Sequence, residues 1–242
     1  MKFSLKPLIV TGTSVAFAAL LAGCQTVKPE PGPAVPPPAA PVEQPAPSIE
    51  GRAFQVLTAE SEVRILVYRG GSLSKLGHNH VITSHDLSGT ITLPEDPTQA
   101  QFEVVMPVAP LTVDEPEKRA EEGADFTAPV NDNAREGTRR NMLKPEVLDG
   151  DHFAAVTLRS ASIARAGEDY DVTFGVVLRG ERYELQAPVH VEVQGDRLRA
   201  RGEMQVKQTE LGIMPFTAAM GALAIRDEIR IKFDIHAALS GR

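Results

Sequence analysis

The chain has 242 residues, with 25 Lys and Arg against 32 Asp and Glu, a formal net charge of −7, one cysteine and no tryptophan. That length allows one large domain or two small ones. An acidic chain without a basic block argues against a nucleic-acid partner, because phosphate binding draws on clustered Lys and Arg.

The first segment reads as targeting rather than fold. MKFSLKP carries Lys2 and Lys6, an apolar run extends from Leu8 to Leu21, and small residues lead into Cys24. This is the order of charged, apolar and cleavage regions in an export signal. The run is shorter than the roughly 20 residues a membrane-spanning helix needs. Leu21, Ala22, Gly23 and Cys24 resemble the lipobox of bacterial lipoproteins. That resemblance implies a signal peptide over residues 1–23, a diacylglycerol on the Cys24 sulfur, and usually a further acyl chain on the new amine. A soluble secreted protein with an incidental cysteine is the alternative. Two or more acyl chains, at about 0.8 kcal/mol per buried CH₂, anchor a protein stably. Gln25, where an aspartate would signal inner-membrane retention in enterobacteria-like sorting, implies the outer membrane rather than the inner, with the domain in the periplasm. Processing removes Lys2 and Lys6, so the net charge moves from −7 to about −9. With Cys24 lipidated, no disulfide can form although the compartment is oxidising.

Residues 25 to 50 hold nine of the 19 prolines. Proline at that density favours extended polyproline II and cannot build a core. Residues 24–52 are therefore expected to be a lipidated cysteine and a semi-rigid tether, with a Pro-rich ligand for a partner domain as the sharper alternative.

Residues 53–242 are expected to be the folded domain, and their dominant pattern has period two. Val63, Ile65 and Val67 alternate with Glu62, Arg64 and Leu66, and Leu87, Gly89, Ile91 and Leu93 alternate with Ser88, Thr90 and Thr92. The same alternation runs through Tyr170 to Leu178, Tyr183 to Val193, Leu198 to Val206 and Ile225 to Ile235. Strands with one apolar and one wetted face follow. RGER (179–182) and QGDR (194–197) make antiparallel neighbours of the strands they join. No helical crossovers separate the strands. The fold class is therefore all-β, an antiparallel closed barrel or sandwich of about eight strands. Val172, Phe174, Val176 and Leu178, with Leu185, Val189 and Val191, are the expected interior and the candidate ligand-binding residues. An apolar tube suits a chain-like ligand, since each CH₂ withdrawn from water is worth about 0.8 kcal/mol.

Pro107 to Asp151 breaks the pattern, being charged and without alternation. TRRNMLKPEVL (138–148) predicts a short helix ending near Lys144, because Pro145 disfavours helix in the residue before it. So long an irregular excursion is usually functional or mobile. It is expected either to plug one barrel end or to lie on the surface.

SKLGHNHVITSH (74–85) places His78, His80 and His85 within eight positions. On a strand His78 and His80 share a face and could share zinc or copper if a third ligand arrived. His85 has the opposite parity and needs a turn to join them. The competing expectation is that His78 and His80 are hydrogen-bonding side chains at the barrel rim beside a bend at Gly77. No GxSxG and no recognisable Ser or Cys nucleophile motif occurs, so no catalytic residue is expected.

In chain order, GSLSKLGHNH (71–80), TRRNML (138–143), LDGDHFAAVTLRS (148–160), LRGERYELQAPV (178–189), QTELGIMPF (208–216) and IRDEIRIKF (225–233) together resemble the YceI-like family over about residues 53 to 237. The resemblance implies a secreted or periplasmic, lipocalin-like antiparallel barrel whose lumen takes long isoprenoid or other amphiphilic chains, fatty-acid-like ones included. It implies no catalytic residues. The chain departs from the family at three places. Arg139 to Leu143 stand where an RDxHL stretch is usual, Gln208 to Gly212 stand where an arginine opens an RxDFG-like turn, and Glu115 to Asn133 resembles an insertion. Expected partners are thus a membrane, through the anchor, and an amphiphilic small molecule. A homodimer is compatible with the sequence, which does not specify one.

Overall fold

The structure, a computed structural model, describes residues 50–241. The expected signal peptide, Cys24 and nearly all of the Pro-rich tether lie outside the described residues. Pro47–Arg242 forms one compact unit, and the barrel and core described below close within it.

The strands are β1 (Arg52–Val56), β2 (Glu62–Val67), β3 (Arg69–Gly70), β4 (His80–Ser84), β5 (Ser88–Leu93), β6 (Gln101–Pro107) and β7 (Thr112–Val113). After helices α1 (Pro116–Glu121) and α2 (Asp132–Met142) come β8 (Ala155–Ala166), β9 (Asp169–Leu178), β10 (Glu181–Gln194), β11 (Arg197–Lys207), β12 (Thr217–Ala218), β13 (Leu223–Ile225) and β14 (Glu228–Leu239). Eight strands in the order β1-β5-β6-β8-β9-β10-β11-β14 form a ring that closes through β14 onto β1, and every pairing is antiparallel. Of the barrel and the sandwich that the alternation left open, the barrel implied by the family resemblance is the observed fold.

The wall is not made of eight unbroken strands. β14 pairs with β2 at Arg230–Asp234 and with β1 at Ala237–Leu239, so β1 and β2 are two halves of one wall strand. The break between them is pinned by Ser61, whose hydroxyl exchanges hydrogen bonds with the main chain of His236 at 3.1 and 3.0 Å. β4 and β5 are likewise two halves, pairing with β2 and β1 respectively. The continuous strand expected from Ile225 to Ile235 is interrupted. Arg226 N–H donates to Tyr68 O, and the Asp227 carboxylate accepts from Thr209 N and Oγ1. Those bonds turn Ile225 into a separate three-stranded sheet, β12-β13-β3.

Turn chemistry sets the register of the long hairpins. β9 passes to β10 through Arg179 and Gly180, with φ of 51° and 76°, the double left-handed geometry of a two-residue hairpin. At Gly202 on β11 a Cβ would stand 2.4 Å from the Pro188 carbonyl and 2.5 Å from the Phe233 ring, so only glycine fits that close approach.

α2 starts at Asp132 instead of Thr138, because the Asn131 side chain caps it by accepting from Ala134 N at 2.9 Å. It ends at Met142, ahead of Lys144 and Pro145. The excursion resolves into two parts with different roles. Its first part lies on the outer wall, where Phe126 packs with Leu66 and Val81 and meets the Tyr68 ring edge-on at 5.7 Å. Burying a side chain of this size stabilises by about 2–3 kcal/mol. Ion pairs fasten the same part: Glu122 takes Lys232 at 2.6 Å and Arg64 at 2.9 Å, and Lys118 takes Glu62 at 2.6 Å. The second part, from Met142 to Leu148, turns into the barrel end.

The candidate ligand cavity

The inward residues of the ring do not meet at the axis. They leave a cavity of about 290 Å³, near the lower end of the range for small-molecule pockets. All seven residues expected in the interior line it: Val172, Phe174, Val176 and Leu178 from β9, with Leu185, Val189 and Val191 from β10. The register explains the match, since Val172 pairs with Ala187, Phe174 with Leu185 and Val176 with Tyr183 on the same face. Among the described residues no charged side chain lines the cavity, and the only lining side chains with N or O atoms are Gln208 and Tyr170.

The expected lining was incomplete. Ile229, Ile231, Phe233 and Ile235 of β14 and Phe102 and Met106 of β6 also line the cavity. QFEVVMP alternates well enough to have shown the β6 residues. Met142, Val147 and Leu148 close one end, a role no periodicity announces. Leu211 and Ile213 complete that closure. Arg179 staples the end shut, donating to Pro145 O at 3.3 Å, to Glu146 O at 3.2 Å and to Gly212 O at 2.6 Å. At the other end Phe54, Leu198 and Ala237 form a separate buried cluster.

The three expected metal ligands are not brought together. His80 Nδ1–H donates to Asp114 Oδ2 at 2.6 Å, and its Nε2 stands 3.5 Å from Thr138 Oγ1 on α2. His85 lies beyond the end of β4, with Nε2 at 2.9 Å from Glu115 Oε1. The His78 ring is 6.2 Å from that of His80, and the strand that was to carry both begins only at His80. Among the described residues no group of three or more His, Cys, Asp or Glu is arranged to hold a metal ion.

Instead, His80 belongs to a buried polar knot. The other Asp114 oxygen accepts from Val81 N at 2.9 Å and Arg119 Nη1 at 2.6 Å, while Arg119 also donates to Asn79 O and Ala128 O. Burial pushes the Asp114 carboxyl up, but the hydrogen bonds and charge of His80, Val81 N–H and Arg119 outweigh it and hold the pKa below its ordinary value. Burial and the neighbouring His80 charge hold His78 below the usual imidazole range. The knot joins β4, the segment after β7, α1 and α2, so it fixes the excursion to the wall.

A closed antiparallel barrel with an uncharged lumen is the architecture of a lipocalin-like binding protein. The YceI-like domain family matches residues 54–237, and the chain belongs to that family. Its barrels bind hydrophobic ligands and are generally binding proteins rather than enzymes. The chain is similar in fold to Burkholderia cenocepacia BcnA, at 18% identity and a TM-score of 0.54 over 76% of this chain and 99% of that one. A Campylobacter jejuni YceI protein is also similar, at 10% identity and a TM-score of 0.47 over 66% of this chain and 85% of that one. No curated protein sequence matches the chain significantly.

Proposed function

We propose that this protein is a membrane-anchored envelope lipoprotein that carries or scavenges a long-chain amphiphile, isoprenoid-like or another lipid, in its barrel lumen. The observation that supports the reading best is the cavity itself, about 290 Å³ of space walled by apolar side chains and free of charge. A solid barrel would have filled that space, because interiors otherwise pack at crystal-like density. Apolar walls around such a space gain dispersion contacts from an alkyl or prenyl chain. The lipobox-like Cys24 and the Pro-rich segment after it support anchoring in the envelope, with the outer membrane favoured by Gln25.

The anchoring half is tested by Cys24→Ala in cells. The variant should stay unprocessed or leave the detergent-soluble membrane fraction, and wild-type protein that fractionates as soluble without detergent would refute it. The binding half is tested by native mass spectrometry of residues 47–242, which should reveal a bound lipid-like mass.

A further inference from the structure

This inference rests on the carrier reading and concerns the polar end of the ligand. Gln208 is the sole amide among the residues lining the cavity, and it is 5% exposed. Its Nε2 donates to the Arg226 carbonyl at 2.7 Å. A carbonyl can only accept, so this bond fixes which end of the amide is nitrogen and leaves Oε1 as an acceptor that this bond does not use. Among the described residues no protein donor is found at Oε1. An acceptor set among apolar walls gains from a donor that a ligand brings.

The guanidinium groups of Arg179 and Arg139 near that end are turned to main-chain carbonyls, although Arg179 Nε and Arg139 Nη1 are buried without a hydrogen-bond partner. Arg179 points to the carbonyls of Pro145, Glu146 and Gly212, and Arg139 donates to Ala109 O at 2.7 Å. Neither lines the cavity. An anionic headgroup drawn inside would therefore lose its hydration without a cation to replace it. Tyr170 supplies a hydroxyl on the other hairpin end of β9, where it is only partly buried and free to bond water.

We infer that Gln208 Oε1 reads the polar end of the ligand, and that the lumen selects an uncharged chain ending in a hydroxyl over a carboxylate or phosphate of the same length. The chain of such a ligand runs along β9 and β14 while its O–H donates to Oε1.

The test uses delipidated residues 47–242 and displacement of a neutral fluorescent probe, N-phenyl-1-naphthylamine, by hexadecanol, hexadecyl methyl ether and hexadecanoate at pH 8. Hexadecanol should bind at least about fivefold tighter than the ether, which cannot donate a hydrogen bond, and tighter still than the carboxylate. In Gln208→Met the alcohol's advantage over the ether should vanish, while in Tyr170→Phe it should persist. Equal binding of alcohol and ether to wild type overturns the inference, and needs no variant to fold. So does hexadecanoate binding as tightly as the alcohol, or an unchanged alcohol preference in Gln208→Met. If probe and all three chains fail to bind, the carrier reading itself falls, and this inference with it.

Discussion

Met142, at the end of α2, and Val176, near the end of β9, line the same cavity, although one belongs to the irregular excursion and the other to a regular strand of the barrel. The lumen is thus a joint product of the alternating strands and of a segment whose sequence shows no period at all.

The strand half of that wall yields a parity test. Val176→Asp puts an unpaired carboxylate into an uncharged interior, where it lacks hydrogen-bond donors and resists ionisation. We expect loss of about 3 kcal/mol or more by denaturant unfolding, or an unfolded protein. Thr173→Asp, on the opposite face, should cost under about 1 kcal/mol. Equal costs at the two positions would contradict the assigned faces.

The excursion half depends on Arg179. Replacing it with Ala removes the bonds to Pro145, Glu146 and Gly212, so the end formed by Met142 to Leu148 should loosen. Stopped-flow exchange of a lumen-bound probe should then speed up several-fold with little change in melting temperature. An unchanged rate would mean that ligands use the other end.

The knot around Asp114 is expected to be structural. Asp114→Ala leaves Arg119 buried without its carboxylate, and breaking such a pair costs about 3–5 kcal/mol. His80→Gln should cost less and leave ligand binding intact. Near-stoichiometric zinc or copper in the wild type that is lost from His78→Gln/His80→Gln would contradict this assignment.

The knot and the ion pairs beside it give stability a pH signature. Asp114, Glu115 and Glu122 all have folded-state pKa values below their ordinary ones. Each contributes stability that is complete above the ordinary carboxylate value of about 4 and is lost as pH falls through the lower folded value. His78, held neutral, acts in the same direction at higher pH, with loss beginning near the ordinary imidazole value of about 6.5. The urea midpoint should therefore fall from pH 7 to pH 5 and more steeply below pH 4. His78→Gln should flatten the upper part and Asp114→Asn the lower. A midpoint that rises on acidification would refute the signs.

The barrel was legible because alternation encodes a face directly: the parity that places Val172 and Val189 inside also fixes their register across the hairpin. What stayed hidden was decided at a distance. Nothing local to Ile225 reveals that Tyr68 and Thr209 will turn it out of β14, and nothing local to Glu122 reveals Lys232, 110 residues away. The histidine stretch left two expectations open for a related reason. Its spacing is compatible with a shared metal, but Asp114 lies 34 residues from His80 and takes the imidazole as a hydrogen-bond donor. Gln208 read as a lost arginine in a turn, and only its bond to Arg226 O shows an oriented acceptor.

The central claim is that the lumen holds a chain-like amphiphile, and native mass spectrometry of residues 47–242 tests it most directly. Wild type should carry a non-covalent mass in the range of a long-chain lipid, removable by organic solvent and replaceable by an added amphiphile. Ala200→Trp, which fills part of the cavity from β11, should fold and carry no such mass. A wild-type mass equal to the bare polypeptide that admits no added chain, or a bound mass that survives in Ala200→Trp, would contradict the account.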